Sequence, residues 1–292
     1  MSNRETPNIN DKKVYTSTLK KSINRAFGGG IAGSAAMVIQ VTSLMWLRTI
    51  MNFQYRYGTS SMEAAKRLYA QGGFRRFYQG YLPALAIGPL SRFGDTASNA
   101  FVLEYLKEKN INTSIKTACG SFAAAIFRII LMPLDALKTT LQVEGRSGLS
   151  LLSKKIKVGG LSVLFHGTGA SFSATFVGHY PWFLTNNILK KALPDYKELH
   201  KKLLKNAGIG FICALISDTC SNSLRVIKTT KQTYQHSVSY VEVVKHVIEV
   251  DGIQGLFGRG LKTRIVTNGL QGIIFNIFWN LIQDWYFSTK KV

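Results

Sequence analysis

An acid and a base three residues apart, Asp135 and Lys138, sit in an apolar run that reads Met132-Pro133-Leu134-Asp135-Ala136-Leu137-Lys138-Thr139-Thr140-Leu141-Gln142. In such a run these charges cannot face lipid, so they must face an aqueous cavity or one another. The base recurs: Arg48 stands 90 residues before Lys138, and Lys228 stands 90 after it. Four residues beyond each base comes an amide, Asn52, Gln142 and Gln232. The acid does not recur. Met45 and Arg225 fill its place, so the six positions hold four bases (Arg48, Lys138, Arg225 and Lys228), one methionine and one acid, Asp135. Cations crowded into a partly desolvated place repel strongly unless counter-charge intervenes. The chemistry this pattern supports is the binding of an anion, with water, lipid phosphate or other side chains as the competing source of compensation.

The elements that must carry these residues are long apolar helices. Seven residues make about two helical turns, which puts Arg128 on the face of Asp135 and Asp218 on the face of Arg225, with Val38 as the first copy's equivalent. Apolar spans are expected near 23–51, 83–105, 115–142, 170–191, 205–232 and 262–287. Each approaches the roughly 20 residues that cross a bilayer. Pro83 and Pro89 bracket an expected kink in the second span, since proline removes a backbone donor. Gly28, Gly29, Gly30 and Gly33 favour close helix approach in the first. Between spans, 62–69 is amphipathic and suits a short surface helix, and Lys154-Lys155-Ile156-Lys157 marks the corresponding loop of the second copy. Gly30, Gly120 and Gly210 keep the 90-residue interval, so the chain is three copies of one unit.

The 292 residues combine 46% apolar content with a net charge of +22. That excess would suit nucleic acid, but the bases lie in short segments between apolar runs and no nucleic-acid motif is present. Anionic lipid or anionic solutes are the expected partners. Cys119, Cys213 and Cys220 lie inside apolar runs without metal-ligand spacing, so neither a disulfide framework nor a metal site is expected. No catalytic triad or phosphate-binding loop points to an enzyme, and no cofactor is expected. Residues 1–21 are polar and include Glu5 and Asp11, unlike a secretory signal or a transit peptide, so any targeting is expected to be internal. A soluble helical repeat protein would carry more charge on its polar faces.

Pro133-x-Asp135-x-x-Lys138 resembles the signature of the mitochondrial carrier family. The second halves of the units agree: Gly73 to Tyr78-Gln79-Gly80, Gly160 to Phe165-His166-Gly167, and Asp251-Gly252 to Phe257-Gly258-Arg259-Gly260 are similar to the family's acid-glycine to aromatic-basic-glycine segment. The resemblance covers roughly residues 20–290, with one intact and two degenerate signatures. It implies an all-α membrane protein with six transmembrane helices in three tandem two-helix repeats, threefold pseudo-symmetry and short matrix helices. The expected division is a polar extension at 1–20 and repeats at 21–110, 111–200 and 201–292, multi-pass in the mitochondrial inner membrane.

The resemblance also implies roles. The base of one signature pairs with the acid of the preceding one to close the matrix side, so Asp135 is expected to pair with Lys228, leaving Lys138 without a partner and Arg225 beside Arg48. Gln142 and Gln232 belong to the same gate. At the cytoplasmic mouth Glu104-x-x-Lys107, Asn187-x-x-Lys190 and Asn280-x-x-Gln283 stand in the gate places. Twelve residues before these come Arg92, Thr175 and Asn268, where carriers contact their solutes, with Asp95, His179 and Gln271 near that level. Arg92 is the expected main anion clamp and Arg128 the second. The blander alternative pairs Arg92 with Asp95 and Arg128 with Asp218. Arg264, in Gly-x-x-Thr-Arg, resembles the family's Gly-x-x-Pro-Arg.

The function expected is transport, by a monomer working through alternating access, of an organic anion such as the tricarboxylate citrate or a dicarboxylate. Anionic phospholipid at the matrix helices is the expected lipid partner. A carrier of an amino acid or nucleotide-like cofactor, and a carrier-fold scaffold that no longer transports, are the alternatives.

Overall fold

A computed structural model describes residues 35–105, 113–194 and 198–289. Among the described residues the chain is helical with no strand. Residues 41–271 form one compact unit, and 1–40 with 272–292 another. In the smaller unit the described residues, 35–40 and 272–289, are helical.

Each copy runs long helix, short helix, helical turn, long helix. In the first, α1 covers 35–57. It is followed by α2 (Ser61–Ala70), the five-residue α3 (Gly73–Phe77) and α4 (Tyr81–Tyr105). The amphipathic stretch forms α2 as expected. Ser60 caps it by accepting from the Glu63 N–H, and Glu63 pairs with Arg67 one turn on at 2.5 Å, both devices that favour a short helix. Its buried Ala64 and Leu68 pack with Ile50 and Phe53 of α1 and Phe77 of α3. Burying such side chains is worth roughly 1.5–3 kcal/mol each for the larger ones, enough to hold a helix that alone would be marginal.

The second copy corrects one expectation. The span near 115–142 is not one straight helix. It divides into α5 (Thr113–Ile130) and α6 (Met132–Glu144), bent by 67° at their junction. Pro133 in the first turn of α6 is the cause: it lacks an N–H for the preceding turn and its ring crowds the carbonyl four residues back. The lysine-rich segment read as a loop is helical, within α7 (Ser147–Gly159), since its one-sided apolar residues bury Leu152. A 3₁₀ turn (Leu161–Phe165) then leads to α8 (Thr168–Ala192).

In the third copy α9 (Leu199–Thr233) is followed by α10 (Tyr240–Gly258), which opens on a capping box between Ser239 and Glu242 and kinks at Gly252, and by α11 (Leu261–Thr289). Among the described residues Leu203–Thr233 is long and apolar enough to cross a membrane, as is the bent pair Ala118–Ile130 with Met132–Glu144 taken together. Pro89 lies inside α4, which continues through it.

The three copies meet in the same way. Gly80, Gly167 and Gly260 precede α4, α8 and α11 with φ of 84°, 85° and 65°. A Cβ added there would come within 2.8 Å of the Lys138 carbonyl, 3.3 Å of the Lys228 carbonyl and 3.2 Å of the Met51 carbonyl, respectively. Left-handed backbone and close approach both demand glycine at these positions. The second long helix of each copy is thereby seated on the signature helix of another.

Candidate functional site

The signature helices end in carbonyls that have no helical partner, and a cation from a neighbouring copy meets each set. Arg76 donates to Gln142 O at 2.8 Å and Val143 O at 2.6 Å. Lys155 donates to Gln232 O at 3.2 Å and Tyr234 O at 3.0 Å. Arg259 donates to Tyr55 O at 3.4 Å and Arg56 O at 3.3 Å, and is held by Asp251 at 2.6 Å. The first copy thus caps the second, the second the third and the third the first. A cation at a helix C-terminus also meets the negative end of its dipole. Burial lowers the Arg76 pKa, and burial with the Lys231 and Arg56 charges brings Lys155 down to about 8.

These caps fix the ends of helices whose middle turns carry the expected gate. Asp135 lies between two ammonium groups, Lys228 at 2.5 Å from Oδ2 and Lys138 at 2.7 Å from Oδ1. The Lys228 partner is the one expected. The expectation that Lys138 lacks a partner does not hold: Asp135 lies three residues before it on α6, and the second carboxylate oxygen is open to it. Gln232 Nε2 reaches the same carboxylate at 3.4 Å. Gln142 makes the equivalent approach to Met45, 3.5 Å from Sδ, and accepts from Asn52 Nδ2 at 2.5 Å.

A second cluster surrounds Asp218. Arg264 Nε donates to its Oδ1 at 2.7 Å and Asn268 Nδ2 donates to Oδ2. Arg264 and Asn268 reach this carboxylate because α11 lies opposite α9. Arg225 lies in the same neighbourhood, with Arg264, Arg128 and Asp218 as its charged neighbours. Thr175 is buried on α8, its hydroxyl donating to Ser171 O at 2.9 Å. Asp218 and Asn268 are thus brought together, while Thr175 bonds only within its own helix among the described residues. His179 packs edge-on against Phe183 at 6.2 Å, and Asn187 and Lys190 are exposed near the end of α8. Lys107 lies outside the described residues, as do the side chains of Arg92, Asp95, Glu104, Asn280 and Gln283.

Sequence reasoning missed Arg76 and Lys155, which stand at different places in their units, and the role of Arg264, whose only signal was its distance from Gly260. Cys119, Cys213 and Cys220 are free thiols, and among the described residues no group of three metal-ligating side chains converges.

Comparison with known proteins agrees with this repeat geometry. The mitochondrial carrier protein family model matches residues 19–110, 109–197 and 199–290. A calcium-dependent mitochondrial ATP-magnesium/phosphate carrier protein 2 of Arabidopsis thaliana is 26% identical over 88% of the chain, which spans 56% of that relative's length. Mitochondrial carrier-like protein L276 of Acanthamoeba polyphaga mimivirus is 23% identical over 67% of the chain and 74% of its own length. A mitochondrial GTP/GDP carrier protein 1 of Saccharomyces cerevisiae is 24% identical over 60% of the chain and 62% of its own. With three tandem matches covering nearly every residue, the chain belongs to the mitochondrial carrier protein family.

Proposed function

We infer that the protein carries an organic anion across the mitochondrial inner membrane, with six spans around a threefold pseudo-symmetric cavity that opens alternately to each side. The single observation behind the anion is the charge of the inner end. Lys138, Lys228, Arg225 and Arg264 are gathered against two carboxylates, Asp135 and Asp218. Both carboxylates are already satisfied, so a visiting cation would find no unused acid among them. A di- or tricarboxylate such as citrate suits the guanidinium groups, which meet carboxylate as a planar fork. The cyclic capping by Arg76, Lys155 and Arg259 supports the closed arrangement of three repeats at 21–110, 111–200 and 201–292.

Movement through such a cavity requires the Asp135 pairs to part. An anion near Lys138 and Lys228 weakens their hold on Asp135 by competing for the same cations, and the helices bearing them are free to separate. A nucleotide or phosphate solute is the second reading, favoured by two relatives named for ATP-magnesium/phosphate and GTP/GDP. Another is named a mitochondrial glycine transporter. Exchange by purified protein in liposomes, loaded in turn with citrate, malate, phosphate, nucleotides, glycine and lysine, separates these. Uptake of carboxylates above the others is expected, and uptake of lysine alone would overturn the anion reading.

A further inference from the structure

One guanidinium in the cluster has little to hold. Among the described residues, the hydrogen bond Arg225 makes runs from Nε to Ser221 Oγ at 3.3 Å on its own helix. The carboxylate beside it, Asp218, is taken up by Arg264 and Asn268. Tyr55 arrives at the same place from α1. It is 2% exposed, and its ring packs on Val226, Val247 and Leu256. Its backbone carbonyl accepts from Thr230 Oγ1 at 3.2 Å, and a Cβ on Gly260 would stand 2.7 Å from ring atom Cε1. The ring therefore has no room to turn away. Its hydroxyl oxygen faces the Arg264 guanidinium and lies within electrostatic reach of Arg225, and its O–H finds no acceptor among the described residues.

An under-used guanidinium and a phenol whose O–H meets no acceptor are both donors. Burying donors unmet is costly, and what satisfies both at once is an oxygen anion. We propose that Arg225 and the Tyr55 hydroxyl form an oxyanion subsite, in which the Arg225 fork and the phenolic O–H donate to one carboxylate, or one phosphate group, of the solute. This rests on the anion reading above and extends it. The third acid of the gate has become a cation that holds substrate, with the phenol as co-donor. Arg225 lies one turn before Lys228 on α9, and Lys228 holds Asp135, so occupancy of the subsite is felt directly by the gate.

The experiment uses the full chain, purified and in liposomes, with citrate, malate and inorganic phosphate as probes and Tyr55→Phe, Arg225→Lys and Arg225→Gln as variants. At least one anion is expected to raise the wild-type melting temperature. For that anion, Tyr55→Phe, which keeps the ring and its packing, raises the exchange KM roughly tenfold or more with Vmax changed by less than about twofold. Arg225→Gln removes the thermal shift, and Arg225→Lys keeps part of it. If the wild type exchanges anions while Tyr55→Phe and Arg225→Lys keep its KM and thermal shift, the subsite is overturned and the transport reading stands. If the wild type exchanges none but shows a thermal shift lost in Tyr55→Phe, the subsite stands and the transport reading falls. If no probe is exchanged or shifts the wild type, both fall. Whether phosphate or a carboxylate gives the larger shift identifies the source of the oxyanion.

Discussion

Gln142 reaches the sulfur of Met45, 97 residues before it, with the same reach that Gln232 has to the carboxylate of Asp135, also 97 residues before. The amide keeps its aim where the acid has been lost. The backbone relation between copies is therefore set by packing at the glycines and caps, and the charges of the proposed gate sit on it as removable parts.

Restoring the first acid tests this. Met45→Asp places a carboxylate within reach of the Gln142 amide, in the place from which an acid faces Lys138. The variant is expected to melt higher and to exchange solute several-fold more slowly, since a firmer gate opens less often. Combined with Lys138→Ala, the gain in melting temperature should disappear, and a gain that survives would remove Lys138 from the explanation.

Asp135 holds two ammonium groups at once, so its loss leaves both unmatched. Breaking a buried pair by removing one partner costs roughly 3–5 kcal/mol. Asp135→Asn is expected near the upper end and Lys138→Ala well below it, because Lys228 still satisfies the acid in that variant. Chemical denaturation in detergent gives both values, and equal costs would show that Lys138 and Lys228 do not share the acid.

Gly80 combines a φ of 84° with a space in which a Cβ would meet the Lys138 carbonyl at 2.8 Å. Gly80→Ala is expected to destabilise by roughly 1–3 kcal/mol through backbone strain, with added cost from the clash. Gly73 also has positive φ but nothing within 4 Å of its Cβ position, so Gly73→Ala should cost less. Thermal melting of the two variants side by side reads the difference.

Lys155 gives a dependence on pH. Its pKa falls from 10.5 to about 8 on folding, first through burial and then through the charges of Lys231 and Arg56, with Glu144 opposing. Between those values the unfolded chain holds a proton that the folded chain has released, so stability rises with pH from about 8 to about 10.5 and the penalty is constant below. Wild-type melting temperature is expected to climb across this window relative to Lys155→Met, and parallel curves would contradict the assignment.

Much of this was legible before any coordinates. The 90-residue interval of Arg48, Lys138 and Lys228 locates the signature helices, and the resemblance to the carrier family implies the Asp135 to Lys228 pair. Helix positions came through because apolar periodicity dominates long spans. The bend at Leu131 was missed because an apolar run reads as continuous unless Pro133 is weighed as a break. Lys138 was misassigned because two ammonium groups on one carboxylate is a matter of side-chain reach, which spacing does not report. Tyr55 carried no signal at all: an aromatic residue three beyond Asn52 looks like core until the hydroxyl is seen beside two guanidinium groups.

In the proposed transport cycle a surplus of cations at the inner end of the cavity selects an anion. Uptake of labelled citrate and malate against labelled lysine and arginine, by the reconstituted wild-type protein, tests it most directly. Saturable uptake of a carboxylate, with neither cationic amino acid competing, is the predicted result. Uptake of lysine or arginine with no carboxylate moved would contradict it.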